Sequence, residues 1–279
     1  MGLERWQNEV ERLLPDTDLG GARVVEGTFH EVVLVPGVAA IRVARDEQAD
    51  TETARQHDLL RRLGECSLPF AVPEPLDEVQ ELDGRPSLVC SWVPGNPAPK
   101  GHGDPEELRE LLAALADVDL EGLRDVLAPP HAYAGGERWA EVMFGEAVPR
   151  LPGEWQQEAR RRVEAALALE PVPARLVHGD LAGDNMRWDD RGRLVGVLDW
   201  DLASPWDQAV DAACLAWHGW ETVRAAVDDG TYRRARIWYR TFGIEQIAAA
   251  IQRGEPDRVV EQTVVRCVRW LGSTADLDA

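Results

Sequence analysis

Apolar positions at helical spacing open the chain. Trp6, Val10, Leu13 and Leu14 share one face of residues 4–14, and Pro15 ends the run. From residue 22 the period shortens to two. Residues 22–26, 31–35 and 38–44 read as three short strands, with turns at Gly27-Thr28 and Pro36-Gly37. Helical spacing returns over 47–64, where Glu52, Gln56, Leu59, Leu60 and Leu63 line one face. Two further strands are expected near 75–82 and 87–91.

The run Trp92-Val93-Pro94-Gly95-Asn96-Pro97 then breaks every periodicity and marks a boundary. It divides the chain into an N-terminal lobe, 1–92, and a C-terminal lobe, 93–279. Beyond it the pattern is mostly helical, over 104–117, 136–147, 153–168, 207–217, 221–228, 231–241, 245–252 and 256–270. The exception is a hairpin, 186–188 and 194–198, turned by Asp189-Asp190-Arg191-Gly192.

That hairpin is flanked by chemistry. Residues 178–185 read His-Gly-Asp-Leu-Ala-Gly-Asp-Asn, and Leu198-Asp199-Trp200-Asp201 follows. Asp180 precedes Asn185 by five residues, and Asp199 ends an apolar run. Phosphoryl transfer by kinases uses these parts: one carboxylate to orient and deprotonate the acceptor hydroxyl, and an Asn and an Asp to hold the metal that bridges the phosphates. The Asp-x-x-x-x-Asn spacing is that of a kinase catalytic loop. Asparagine occurs only at 8, 96 and 185, so chance is a poor explanation. The competing reading is a Gly/Asp/Asn-rich turn with Asp199 as a helix cap.

The stretch from about residue 20 to 216 resembles the aminoglycoside phosphotransferase family, whose loop reads His-Gly-Asp-Leu-x-x-x-Asn. Within it, residues 26–33 (Glu-Gly-Thr-Phe-His-Glu-Val-Val), Gly183-Asp184-Asn185 and Asp199-Trp200-Asp201 look most like the members acting on tuberactinomycin peptides such as viomycin and capreomycin. The resemblance implies an α+β, two-lobed protein-kinase-like fold with a small β-rich N-lobe and a large, mainly helical C-lobe. It implies an antibiotic O-phosphotransferase using ATP or GTP with Mg²⁺, acting as a monomer. An aminoglycoside phosphotransferase or a metabolic small-molecule kinase is the alternative.

On that resemblance Asp180 is the catalytic carboxylate, and Asn185 and Asp199 are the metal ligands, oxygen donors that suit a hard ion. Arg42 stands where the family carries a phosphate-binding lysine, and Glu52, rather than Gln56, is favoured as its ionic partner. Gly27 and Thr28 belong to a phosphate-covering loop, and main chain at Ser91 and Val93 is expected to meet the purine. Asp211 matches the Asp that ties its helix to the catalytic loop. His178 is read as a stiffener of that loop. Asp184 is either a contact for a cationic acceptor or a solvated charge; Asp201 is a third ligand, an acceptor contact or a surface charge. Trp206, Trp217 and Trp220 either wall the acceptor pocket or belong to the core.

Composition narrows the partners. Fifty acidic residues against thirty basic ones give a charge of −20, which repels nucleic acid and suits a cationic acceptor, although acidity also serves solubility. Lys100 is the one lysine, so no lysine exists on the strands before it. No apolar run approaches the roughly 20 residues of a membrane span, and no signal peptide is apparent at the start, so a cytoplasmic protein is expected. The four cysteines lack Cys-x-x-Cys spacing and read as unpaired thiols.

Overall fold

A computed structural model describes residues 3–27, 30–45 and 50–277. The chain divides into two compact units. One comprises residues 1–98, 121–126 and 184–200; the other comprises 99–120, 127–183 and 201–279. The first unit is therefore not a continuous stretch of chain, because the hairpin after the His-Gly-Asp motif joins residues of the N-terminal part. No described helix is long and apolar enough to cross a membrane.

The first unit is built on an antiparallel sheet. Its strands are β1 (Arg23–Glu26), β2 (His30–Val35), β3 (Ala39–Ala44), β4 (Gln80–Leu82) and β5 (Arg85–Ser91), in the order β1-β2-β3-β5-β4. Alternation decides which residues are buried. Val33, Ile41 and Val89 form one cross-strand row beneath the N-terminal helix Gln7–Leu13, where Trp6 and Val10 complete the core. The Arg5 and Arg85 guanidinium groups lie 4.6 and 5.0 Å from the Trp6 ring. On the opposite face Val25, Val32 and Arg42 form a second row. The helix Asp50–Glu65 buries Leu59, Leu60 and Leu63, as its spacing requires. The strand expected over 75–82 shrinks to Gln80–Leu82, because Pro73 and Pro75 cannot donate ladder hydrogen bonds.

Backbone bonds stitch the hairpin Met186–Trp188/Leu194–Val197 to this unit. Ala71 N donates to Val195 O and Val197 N to Ala71 O, both at 2.9 Å, while Asn96 and Trp188 exchange two N–H···O bonds of 2.9 and 2.8 Å. Gly95 makes the second approach possible: its φ is 101°, and a Cβ there would sit 2.9 Å from Trp188 O. Gly196 plays the corresponding part against the Val93 side chain.

The second unit is helical around the long helix Asp229–Gln252. The two helices expected at 231–241 and 245–252 are one, because Gly243 lets the Trp270 ring pack against the backbone instead of ending the helix. Helices Pro105–Ala116, Gly153–Leu167, Trp220–Ala226 and Asp257–Ser273 follow the apolar spacing. Buried Arg162 donates to Leu271 O at 2.8 Å and to Thr274 Oγ1 at 2.6 Å, satisfying the end of the last helix. The short strands Arg175–Val177 and Ser204–Trp206, antiparallel to each other, have no counterpart in the sequence reading. Three residues are too few to establish a period. None of the four cysteines is in a disulfide.

Gly196→Ala tests the seam between hairpin and sheet. A Cβ would lie 2.1 Å from Val93 Cγ1, so the variant should lose about 1–3 kcal/mol in denaturant unfolding. Adding Val93→Ala should recover part of that loss, since it removes the clashing methyl. Strictly additive single and double variants would contradict this packing.

Candidate active site

The His-Gly-Asp motif begins where Arg175–Val177 ends. His178 is fully buried, and Gly179 turns the chain at φ 85°, where a Cβ would be 3.1 Å from Leu202 O. The loop is held by Asp211, which lies within the short helix Ala209–Cys214 and has no solvent exposure. Its Oδ2 accepts from His178 N and its Oδ1 from Gly179 N, both at 2.8 Å. Asp180 N donates to His178 Nδ1 at 3.1 Å, which fixes that ring nitrogen as the acceptor. His178 therefore stiffens the loop, while the Asp180 side chain faces solvent. Asp207 anchors the start of the same helix: its Oδ1 accepts from Ala209 N at 3.0 Å, and its Oδ2 from Arg234 at 2.7 Å and Trp238 Nε1 at 2.8 Å.

Burial pushes the Asp211 carboxyl up to about 7, against the pull of the Gly179 and His178 N–H groups, with the Asp180 charge adding to the rise. Burial also pushes the Tyr133 phenol well above its ordinary range, with Glu245 next in effect and Asp180 contributing.

In the first unit, alternation turns Arg42 away from the Ile41 and Val43 side. Its Nη2 lies 3.2 Å from His30 Nδ1, which must accept because a guanidinium only donates, and 3.3 Å from Asp199 Oδ1. Asp199 adopts φ 62°, a left-handed conformation that Asp tolerates better than most residues. Leu198 N donates to Asn185 O at 2.8 Å, so Asn185 and Asp199 flank the open end of one hairpin. Arg42, Asp199 and Asn185, more than 140 residues apart at the extremes, thus belong to one compact unit.

Glu52 does something other than expected. Its carboxylate takes Arg55 Nε at 2.7 Å, three residues along the same helix, and Arg55 Nη1 also donates to Val126 O at 2.7 Å. A local i,i+3 partner has captured the acid, and Arg42 pairs instead with Asp199. Gln56 is buried, and its Oε1 has no hydrogen-bond partner among the described residues.

The remaining sequence candidates scatter. Gly27 N donates to His30 O at 2.9 Å, and Thr28 lies outside the described residues. Ser91 Oγ accepts from Glu74 N at 2.9 Å, and Val93 is buried against Gly196. Asp184 is exposed and Asp201 partly buried. The three tryptophans do not form one wall. Trp206 meets His131 edge-on at 4.2 Å and Trp238 at 5.0 Å. Trp217 lies under Lys100 and against Gly183, and Trp220 packs on Tyr232 and Tyr239.

The Trp206 cluster holds residues that sequence reasoning passed over. His131 stacks on Trp139 at 4.2 Å, and Glu245 is buried beside them. Glu245 accepts from Trp139 Nε1 at 3.0 Å, Thr241 Oγ1 at 3.2 Å and the Tyr133 hydroxyl. The usable signal was an acid set among Ile244, Ile247 and Ala248 in an apolar helix.

The Asp211 assignment predicts a pH effect on stability. A carboxyl raised in the folded state binds its proton more tightly there than in the unfolded chain. The stability it confers is complete below the unfolded value of 3.8 and is lost as pH rises through about 7. Between about pH 5 and 8, unfolding free energy should therefore fall in wild type relative to Asp211→Asn, by on the order of 1–3 kcal/mol. A pH-independent difference would contradict the raised carboxyl.

The model of the phosphotransferase enzyme family APH matches residues 28–250. The viomycin phosphotransferase of Streptomyces vinaceus is 31% identical over 281 residues, covering 93% of this chain and 97% of that protein. Among solved structures, the GDP complex of aminoglycoside 2'-phosphotransferase-IIIa superposes with a TM-score of 0.79 at 18% identity, over 97% of each chain. Macrolide 2'-phosphotransferase MphH from Brachybacterium faecium gives 0.67 at 21% identity, over 92% of this chain and 96% of that one. The last two show the fold, with its small antiparallel-sheet part and larger helical part. The family match over most of the chain shows more: this chain belongs to the APH family of phosphotransferase enzymes.

Proposed function

We propose that this enzyme transfers the terminal phosphoryl group of ATP or GTP to a hydroxyl of a cationic tuberactinomycin-type antibiotic, viomycin or capreomycin, and so inactivates it. The observation that carries the reading is the 31% identity to a viomycin phosphotransferase across nearly the full length of both chains. The charge of −20 supports a cationic acceptor.

In this reading Asp180 orients the acceptor hydroxyl and takes its proton late, because a loose transition state rewards positioning over basicity. Asn185 and Asp199 would hold Mg²⁺. Their donor set fits: two hard oxygens at the end of one hairpin, for an ion that takes one or two protein ligands besides phosphate and water. Bound there, Mg²⁺ would neutralise phosphate charge. Arg42 supplies the cation that a lysine would otherwise provide, with a fork suited to phosphate oxygens. Gly27 and Thr28 contribute the loop over the phosphates, and main chain at Ser91 and Val93 receives the purine. Residues 1–92, together with the hairpin, serve the nucleotide. The rest of 93–279 serves the acceptor, with Asp184, Asp201 and Trp206 as candidate contacts.

Specificity constants for viomycin, capreomycin and kanamycin, at saturating ATP or GTP and at low and high salt, test the proposal. The peptides should be the better acceptors. Their constants should fall with salt, because an acidic surface steers cations only within a Debye length of about 10 Å at 0.1 M. No turnover of either peptide would overturn the substrate reading; kanamycin turnover alone would make the enzyme an aminoglycoside phosphotransferase. Salt-independent constants would reduce the acidity to a solubility feature.

A further inference from the structure

Arg187 is a half-buried guanidinium that makes neither a hydrogen bond nor an ion pair with the described residues. It sits in the hairpin between Met186 and Trp188, both buried, so alternation puts it on the opposite face. Its nearest electrostatic neighbours are Asp184 and, repulsively, Arg23. Directly across the hairpin is Gly196, and a Cβ built there would lie 3.6 Å from Arg187 Cβ and 2.1 Å from Val93 Cγ1. Arg187 therefore emerges beside Val93.

Arg23 also relates Arg187 to the sheet. The register aligns Arg23 with Leu34 and Ala40, and Val25 with Val32 and Arg42. These side chains share the sheet face opposite the Trp6 core. Apart from Arg23, Arg42 and the His30 ring that meets Arg42, that face is apolar and partly open: Val25 is 43% exposed, and Val32, Leu34 and Ala40 are only partly buried. One compact unit thus presents a partly open apolar face and a half-buried planar cation, with Arg42 and Asp199 in the same unit.

We infer that Arg187 is a wall of the base site, stacking its guanidinium on the purine of the nucleotide whose other ring face meets Val25, Val32 and Ala40. The inference rests on the proposal that this unit binds a nucleoside triphosphate. A guanidinium offers two flat, weakly hydrated faces and keeps its N–H groups at the edge. A π surface covers such a face and is attracted to the charge. Phosphate is the less suitable occupant, because it cannot cover the apolar side chains opposite, whereas Arg42, beside Asp199, already provides a cation for it.

Equilibrium binding of ATP, adenosine and inorganic tripolyphosphate to wild type, Arg187→Ala and Arg187→Met tests this. Arg187→Ala should weaken ATP and adenosine by the same factor, about tenfold, and leave tripolyphosphate unchanged. Arg187→Met, which keeps length and apolar area, should still bind adenosine several-fold more weakly than wild type. Unchanged ATP and adenosine affinity in Arg187→Ala would overturn the inference, as would a loss confined to ATP and tripolyphosphate. Wild-type adenosine affinity in Arg187→Met would overturn the role of the cation. If wild type binds no nucleotide at all, the underlying function fails rather than this assignment alone.

Discussion

One buried carboxylate organises the loop that carries Asp180. Asp211 takes the backbone N–H groups of His178 and Gly179, and the His178 ring takes the next one, from Asp180. Three consecutive donors are thereby satisfied without water, in a segment with no helix or sheet to do it. The loop is shaped by what it bonds to, and the exposed Asp180 side chain inherits its direction from that frame. Burying an acid is costly, as the raised Asp211 carboxyl indicates, but removing it would strand two N–H groups.

The residues proposed to serve the nucleotide follow a different logic. Asn185 and Asp199 are far from Arg42 in sequence, yet all three belong to the sheet-based unit because Ala71 and Asn96 pair with the hairpin through main chain. Such pairing depends on backbone access, so glycines at 95 and 196 matter more than any polar side chain. The Arg42–Asp199 pair is half solvent-exposed on its acid side and adds little to stability. Its interest is chemical: in the proposed function it would set a phosphate-binding cation beside a metal ligand.

Much of this was legible in the chain. The His-Gly-Asp…Asn spacing and the following Asp identify the reaction because few other chemistries need those groups at those intervals. Period-two alternation identified the strand that carries Arg42. Local competition was harder to read. Glu52 looked like the partner of Arg42, but Arg55 stands one turn away and captures it. Short elements also escaped, since the three-residue strands Arg175–Val177 and Ser204–Trp206 exist through pairing rather than pattern. The tryptophans near 206–220 cluster in sequence, yet they diverge in space because each faces a different side of its short helix or strand. Glu245 and His131 meet only through tertiary packing, and no spacing rule relates positions 114 apart.

The central claim is that Asp211 acts on catalysis by setting the Asp180 loop. The direct test is a double-mutant cycle in turnover, with Asp180→Asn, Asp211→Ala and the double variant measured where all remain folded. The account predicts that Asp211→Ala lowers turnover at least ~100-fold and that the double variant is scarcely worse than Asp180→Asn alone, because both remove one positioned carboxylate. Folded Asp211→Ala with wild-type turnover would contradict it, as would losses that simply multiply.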